Sequence, residues 1–363
     1  MTATKQPGLI EAQAVIIGAG PIGLFQAFQL GLLEISAHII DALPYVGGQC
    51  VELYADKPIY DVPGIPLCTG RELIANLSRQ LEPFKPSLHL GELVTGLEPQ
   101  SDGRLLLETS RGKRFLTQTL FIAAGVGAFQ ARMPGVEGVE AFAGTQVHTA
   151  LPGDTQWASQ KVLILGDTES ALQAAIDLAN SESPPQSVTL MHRRNVFTAE
   201  PATQEKFRAL VAAGSIHFVA GQLNAVDIEG DHLSGAVILN AEGVQQTLAT
   251  DQVLVLMGLS PKLGPIAHWG LDMERRQLKV NSENFATALP GVFAVGDVNT
   301  YPGKKKLILC GFHETVLAAF GAAPLVLNGK TPLLQYTTTS TKLHALLGVD
   351  SLPAGQKSEK VTL

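Results

Sequence analysis

Residues 14–41 read AVIIGAGPIGLFQAFQLGLLEISAHIID. The short apolar run Ala14–Ile17 is typical of a buried parallel strand, and a glycine-rich turn and a stretch with helical spacing follow it. A second short strand then ends at Asp41, 21 residues after Gly20. Glycines in such a turn let the backbone approach a pyrophosphate and let the helix pack on the strand, while the acid accepts hydrogen bonds from a ribose. The stretch predicts a dinucleotide-binding α/β fold with the site residues Gly18, Gly20, Gly23 and Asp41.

A second strand, turn and helix of this kind begin at Lys161–Leu165, where the turn at 166–171 reads GDTESA. The next strand ends in HRR instead of an acid, and adjacent arginines favour a 2′-phosphate, although they can equally be a surface basic cluster. A threonine stands where the fingerprint has its second glycine, and Asp167 adds negative charge close to a pyrophosphate. The second turn is therefore the weaker fingerprint. Its candidate NADP-binding residues are Gly166, Thr168, Arg193 and Arg194.

Near the C-terminus, residues 296–315 read GDVNTYPGKKKLILCGFHET. An apolar run delivers Asp297, and a helix is predicted to begin near Gly311. The N-terminal end of such a helix offers N–H groups and a positive dipole to a group that becomes negative, as a reducible flavin does. The lysines 304–306 form a candidate basic patch, or alternatively a solvated loop.

The repeated pattern predicts an α/β protein with two Rossmann-like, three-layer dinucleotide-binding domains, the second inserted in the first. We place the first domain at residues 1–124 and 289–363, and the second at 125–288. Short alternating segments predict a small antiparallel sheet in each domain. They are 88–97, 104–109 and 114–119, and then 215–219, 223–228 and 233–239.

Composition narrows the classes of function. The 363 residues are 45% hydrophobic and 16% charged, which is typical of a chain with a sizeable core. The net charge of −7 argues against a general nucleic-acid binder. Three scattered cysteines suit a reducing cytoplasm, and the start of the chain has no apolar signal-peptide region. No apolar run reaches the roughly 18 residues of a membrane span.

With these motifs in place, the sequence resembles the flavoprotein disulfide-reductase superfamily, and within it the low-molecular-weight thioredoxin reductase fold. It is most similar to the thioredoxin-reductase-like ferredoxin–NADP(+) reductases, over nearly the whole chain. The most specific blocks are LYADKPIYDVPG at 53–64 and GDVNTYPGKKKLILCGF at 296–312. A thioredoxin reductase needs a C-x-x-C pair, where this chain has VHTA at 147–150. The resemblance therefore implies that electrons leave directly from the flavin.

The resemblance also implies roles for single residues in an FAD-binding first domain. Tyr54 would stack on one face of the isoalloxazine, and Asp297 would hold the ribityl chain. Tyr336, with Thr338, would cover the other face from the second subunit of a homodimer. The full implied FAD-binding set is Gly18, Gly20, Gly23, Asp41, Gln49, Tyr54, Val94, Phe129, Asp297, Tyr336 and Thr338.

The expected function is an FAD enzyme that passes electrons between NADPH and ferredoxin or flavodoxin, with the chemistry in the flavin and no catalytic side chain. Lys304–Lys306, with Arg193 and Arg194, would attract these acidic partners. Two alternatives stay open at this point. One is an FAD-binding sensor or partner-binding protein with weak or lost NADPH use, and the other is a general NAD(P)H diaphorase or quinone reductase.

Overall fold

The structure is a computed structural model that describes residues 8–152, 157–334 and 336–346. The strands in chain order are β1 (Leu9–Ile17), β2 (Ala37–Asp41), β3 (Pro58–Ile59), β4 (Cys68–Thr69), β5 (Ser87–Leu90), β6 (Val94–Pro99), β7 (Leu105–Thr109), β8 (Arg114–Ile122), β9 (Ala128–Ala131), β10 (Val147–His148), β11 (Lys161–Leu165), β12 (Ser187–His192), β13 (His217–Ala220), β14 (Gln222–Glu229), β15 (His232–Leu239), β16 (Gln245–Ala249), β17 (Gln252–Val255), β18 (Leu259–Lys262), β19 (Met273–Glu274), β20 (Gln277–Lys279), β21 (Val292–Ala294) and β22 (Asn299–Thr300). The α-helices are α1 (Pro21–Leu32), α2 (Gln49–Glu52), α3 (Gly70–Leu81), α4 (Glu169–Ala179), α5 (Pro201–Ala212), α6 (Ile308–Val326) and α7 (Thr341–Leu346).

The chain forms two compact units, and the second unit, Gln130–Ser260, is inserted in the first. The first unit consists of the residues up to Phe129 and those from Pro261 onward. The predicted inserted domain, residues 125–288, begins five residues before the observed insertion and ends 28 residues after it. The physical reason is packing, because Ile266, Leu271 and Leu278 are buried in a core of the first unit.

The sheet of the first unit has the order β5-β2-β1-β8-β7-β6, with β21 paired to β8. The strands β5, β2, β1, β8 and β21 are parallel, and β7 and β6 continue the sheet in antiparallel pairing. Two expectations are corrected here. The predicted segment 114–119 is the first part of a longer strand, β8, which continues to Ile122 because no turn residue interrupts the run. The predicted segment 88–97 is two strands, of which β5 joins the parallel edge.

Alternating residues of β1 supply two different cores on the two faces of this sheet. Ala14 and Ile16 pack in the core that α1, α3 and α6 share. Val15 and Ile17 pack in the other core, with side chains of β6, β7 and the segment after residue 261. The sheet is therefore the middle layer of the unit, and the ends of its strands are the open positions.

Local features mark the starts of the three long helices of the first unit, α1, α3 and α6. Helix α1 begins after Gly20 with Pro21 at its first position, where a missing N–H costs nothing. Helix α3 begins with a capping box between Thr69 and Glu72. Helix α6 begins at Ile308, three residues earlier than the predicted start near Gly311. Gly311 lies inside the first turn, where a Cβ atom would come within 2.4 Å of Ile22 in α1.

Among the described residues, one helix, α6, is long and apolar enough to cross a membrane by length and composition alone. It is a core helix in this structure, since Ala318, Ala319 and Ala322 are buried in the core that it shares with α1. It also carries a fully buried glutamate, Glu314, which binds polar groups of the same unit. We interpret α6 as the core helix of the first unit.

The second unit has a parallel sheet of order β10-β17-β11-β12-β13 and an antiparallel sheet of order β14-β15-β16. The predicted strand 215–219 belongs to the parallel sheet as β13 and not to the small sheet. The third strand of the small sheet is β16, which the sequence analysis missed because Gln245–Ala249 is largely polar. Helix α4 packs on β12, and its sequence Glu169–Ala179 buries Leu172, Ala175 and Ile176.

Candidate functional site

A cavity lies at the carboxyl ends of β1, β2, β8 and β21, the place where open parallel sheets bind their ligands. Its empty space, with the open mouth included, is about 1070 Å³. All residues that line it belong to the first unit. The predicted site residues among them are Gly18, Gly20, Asp41, Gln49, Tyr54, Val94, Phe129 and Asp297.

The glycine turn between β1 and α1 forms one wall of the cavity. Gly18 has φ of +110°, and a Cβ atom there would lie 2.4 Å from the carbonyl oxygen of Ala123. A Cβ atom on Gly23 would lie 1.8 Å from the oxygen of Gly18, so Gly23 supports the turn from behind and does not line the cavity. Gly48 approaches from the next loop, and its Cβ atom would lie 3.1 Å from Cα of Gly20. The result is a backbone cradle that any side chain would fill.

Two carboxylates mark the end of the cavity beside β2. Asp41 accepts hydrogen bonds from the N–H groups of Ala19, at 2.6 Å, and Leu43, at 2.8 Å. Burial raises the pKa of Asp41, and these two hydrogen bonds oppose the rise. A carboxylate has about four acceptor positions, so Asp41 keeps capacity for further hydroxyl donors. Glu92 lies in the same wall; burial opposes its ionisation, but hydrogen bonds from Lys113 and Thr109 hold its pKa below the ordinary value.

The loop and short helix after β2 supply a polar and an aromatic group. Gln49 donates a hydrogen bond of 3.3 Å to Asp297, which joins two walls of the cavity. Tyr54 presents its ring to the cavity, and the thiol of buried Cys50 donates to its hydroxyl at 3.6 Å. Burial is the main cause of the raised pKa of Tyr54, so this tyrosine stays a neutral phenol.

The turn that carries Asp297 is fixed by Glu314 of helix α6, a side chain with 0% exposure. One carboxylate oxygen accepts from the Gly296 N–H at 2.7 Å and from the Asn299 amide at 2.8 Å. The other accepts from the Tyr301 hydroxyl at 3.0 Å and from the ammonium of Lys304. Four donors therefore satisfy one buried charge directly behind the cavity wall. We name Glu314, Lys304, Tyr301 and Asn299 the Glu314 cluster.

The Glu314 cluster corrects the expectation of a three-lysine surface patch. The side chain of Lys304 is only 7% exposed, and it also donates to the carbonyl of Gly296 at 2.8 Å. It cannot present its charge to a partner. Lys305 and Lys306 are exposed, and Lys306 lines the cavity mouth. Leu307 is the N-cap of α6 and provides no side-chain cap, so the first N–H groups of this helix begin at the cavity.

Tyr336 and Thr338, the predicted cover of the second flavin face, do not line this cavity in the single chain. Tyr336 is 70% exposed, and Thr338 is exposed as well. They belong to the segment after α6, where Leu333 and Leu334 are also exposed. Their assigned roles require a second chain and stay predictions.

The second unit has its own pocket, lined by Arg193 and Arg194 after β12 together with residues near Gly221 and Asn240. The turn before α4 lies beside it, because His192 of the pocket comes within 3.8 Å of Asp167. Gly166 and Thr168 are not part of the pocket lining. Arg193 and Arg194 therefore line the same pocket, and the glycine turn before α4 lies next to that pocket.

In this second turn, side-chain hydrogen bonds hold a backbone that glycines form in the first turn. Gly166 keeps its role, since a Cβ atom would lie 2.2 Å from the oxygen of Leu256. Thr168 caps α4 by accepting from the Ala171 N–H at 3.3 Å, and it donates to Leu256 at 2.9 Å. Asp167 accepts from the Thr198 hydroxyl at 3.3 Å. The turn is well formed, but it carries a carboxylate where the predicted NADP site would hold a phosphate.

Several residues that build the first cavity are not among the predicted site residues. They are Glu92, Gly125, Leu263 and Ile266 in the lining and Glu314 behind it. Gly125 had a usable signal, because it follows a buried strand and adopts φ of +59°. The others had none, since their positions depend on contacts far apart along the chain. Among the described residues, no group of three or more His, Cys, Asp or Glu side chains is arranged to hold a metal ion.

The two Rossmann-like units with their glycine turns define the class, a protein with two dinucleotide-binding domains. Residues 12–318 match the family described as pyridine nucleotide-disulphide oxidoreductase, and the chain belongs to this family. The chain is 54% identical to a ferredoxin–NADP reductase of Polaromonas naphthalenivorans, over 96% of each chain. It is also 53% identical to ferredoxin–NADP reductase 2 of Cupriavidus necator, over 94% of this chain and 92% of that one. The resemblance inferred from the motifs is confirmed.

Solved structures agree at the level of the fold. A thioredoxin reductase from Gloeobacter violaceus superposes with a TM-score of 0.58 at 20% identity, over 90% of this chain and 98% of that chain. The bacillithiol disulfide reductase Bdr of Staphylococcus aureus gives 0.51 at 18% identity, over 85% and 97%. The predicted architecture of two Rossmann-like domains is confirmed.

We expect opposite consequences from an added methyl group at two glycines of the first turn. Gly23→Ala should lower the free energy of unfolding by about 3 kcal/mol, because its Cβ atom collides with backbone. Gly20→Ala should leave stability nearly unchanged, since the nearest atoms are 3.9 Å away, but should reduce the bound flavin because the methyl enters the cavity. Denaturation curves and flavin-to-protein ratios measure the two effects. Equal stability of both variants would contradict the packing argument.

Breaking the Glu314 cluster should destabilise the first unit and loosen the cavity. Lys304→Met should cost about 3 kcal/mol, because it leaves a buried carboxylate without its cation. Lys305→Met, at the exposed neighbouring position, is the matched control and should change stability by less than about 0.5 kcal/mol. Guanidinium denaturation with near-ultraviolet circular dichroism measures both. The prediction fails if the two variants unfold at the same denaturant concentration.

Proposed function

We propose that this chain is an FAD-dependent ferredoxin–NADP(+) reductase, which passes electrons between NADPH and ferredoxin or flavodoxin. The observation that carries the proposal is the first cavity, which combines a glycine cradle, Asp41 and Asp297 with the uncapped start of α6. The close relatives with this name, and the absence of cysteine at 147–150, support it.

The residues present fit FAD. The backbone cradle at Gly18, Gly20 and Gly48 suits a pyrophosphate, because without side chains the backbone itself forms the cavity wall and a ligand can approach it closely. Asp41 offers acceptor positions to ribose hydroxyls, and Asp297, oriented by Gln49, offers them to the ribityl chain. FAD, when bound, supplies the exchange between hydride transfer and single-electron transfer.

The protein's own contribution is binding, orientation and electrostatics. The first N–H groups of α6 face the cavity with a positive dipole end, which stabilises negative charge that develops there. Tyr54 remains a neutral aromatic surface for a ring system because burial raises its pKa. No described side chain is needed as a proton donor or acceptor.

We further propose that the second unit binds NADPH, that the enzyme is a cytoplasmic homodimer, and that Tyr336 and Thr338 contact FAD of the other subunit. Arg193 and Arg194, which line one pocket, support a 2′-phosphate site. The exposed Leu333, Leu334 and Tyr336 support a second chain as their partner. The three free cysteines suit a reducing compartment.

The decisive experiment is an anaerobic titration of the purified protein with NADPH, followed by turnover with different acceptors. We expect NADPH to bleach the flavin absorbance and ferredoxin to be reduced with a higher kcat/KM than small quinones. A protein that keeps its flavin but is not bleached would instead be a flavin-bearing sensor. Preference for quinones would instead indicate a diaphorase.

The second turn favours a reductase with modest affinity for NADPH, because Asp167 lies beside the arginine pocket. Asp167→Asn should tighten NADP(+) binding about fivefold, since it removes a repulsion of about 1 kcal/mol from the pyrophosphate. Binding of 2′-AMP, which lacks the pyrophosphate, should tighten less than that of NADP(+). Isothermal titration calorimetry measures both ligands.

Asp177→Asn is the matched control, because this carboxylate is exposed on helix α4, which follows the turn, and binds only Gln173 among the described contacts. Its affinity for NADP(+) should equal that of the unchanged protein. Weaker NADP(+) binding by Asp167→Asn would show that Asp167 instead organises the turn through Thr198.

A further inference from the structure

We propose that Lys305, Lys306, Leu307 and Leu309 form the docking surface for a small acidic electron-carrier protein. We call these four residues the rim surface. The inference rests on the proposed function and deepens it, because it assigns the partner to one side of the cofactor cavity. Sequence alone could not separate this set from Lys304, which is a structural residue.

The rim surface has a fixed base. Lys304, the residue immediately before the rim surface, is held by Glu314 and by the carbonyl of Gly296. Ile308, which lies between Leu307 and Leu309, is the first residue of helix α6. The backbone between these two anchors has little freedom to move. The exposed side chains at 305–307 are therefore presented in one arrangement, which lowers the entropy cost of docking.

The rim surface is exposed and adjoins the cavity. Lys305 and Lys306 are exposed, and Leu307 and Leu309 have 47% and 44% of their surface in solvent. Lys306 and Leu307 also line the cavity. A protein seated on this rim would touch the mouth of the cofactor site. The two leucines can provide apolar contact area to a partner, and the two lysines can orient an acidic partner as it approaches.

The charge of the rim surface differs from that of the whole chain. The chain has a net charge of −7, so an acidic protein is repelled by most of its surface. Two lysines and the positive end of the uncapped helix α6 make the rim a local exception. An acidic partner would therefore be oriented toward the cavity before contact. Arg193 and Arg194 belong to a pocket of the other unit and are assigned here to a phosphate.

The test uses the full-length holoenzyme, an acidic bacterial ferredoxin as the acceptor, and two variants that spare the cavity lining. Lys305→Glu should raise the KM for ferredoxin about fivefold at low salt, and Lys305→Glu/Leu309→Ser at least tenfold. The rate of NADPH-dependent ferricyanide reduction and the flavin content should stay unchanged. The difference between the variants and the original protein should shrink as salt is added.

Lys330→Glu is the control, because this lysine is exposed, lies outside the cavity lining and gives the same change of net charge. The inference is overturned if Lys330→Glu raises the KM as much as Lys305→Glu, or if neither variant changes it. An altered oligomeric state with an unchanged KM would assign the rim to a contact between two copies and also overturn it. If the unchanged protein neither binds nor reduces ferredoxin, the proposed function itself fails first.

Discussion

The cofactor cavity depends on one buried charge, the carboxylate of Glu314. A carboxylate with no exposure to water is costly unless its acceptor positions are used, and here four donors from the turn and loop that precede helix α6 use them. These donors are the backbone of Gly296 and three side chains between 299 and 304. The turn that presents Asp297 is therefore set by a satisfied ion pair and not by its own weak local preferences.

The two glycine turns show two solutions to the same geometric problem. The first turn keeps its glycines, because the backbones of Gly18 and Ala123 approach too closely for a Cβ atom. The second turn keeps only Gly166 and caps its helix with the hydroxyl of Thr168. Capping preserves the fold of the second unit, while the half-buried carboxylate of Asp167 changes the electrostatics of the turn. Similar strand, turn and helix patterns can therefore support unequal affinities for a nucleotide.

Sequence predicted the parts of the structure that rest on local conformation. The turn at 18–23 and the acid at the end of β2 were readable, because glycine conformations and strand ends leave short-range signals. The resemblance added Gln49, Tyr54 and Phe129, which line the cavity. The burial of Lys304 was not readable, since a run of three lysines looks uniform until Glu314 is brought to its first member. The second domain boundary failed for the same reason, because it depends on which core the segment after 261 joins.

The insertion of one unit in the other explains how a cavity can form from residues that are far apart in the sequence. The residues that line the cavity come from positions up to 129 and from 263 onward, and β21 completes its wall by pairing with β8, with Val292 opposite Leu120. Closing a flexible loop of such length carries an entropy cost before the contacts form. The intervening residues 130–260 fold as a compact unit with their own cores, and the connecting strands β9 and β18 pair with each other. Because the two ends of the folded insertion pair with each other, residues 128 and 262 are held close together. The loop that remains to be closed is then short, and the entropy cost of forming the cavity wall is lower.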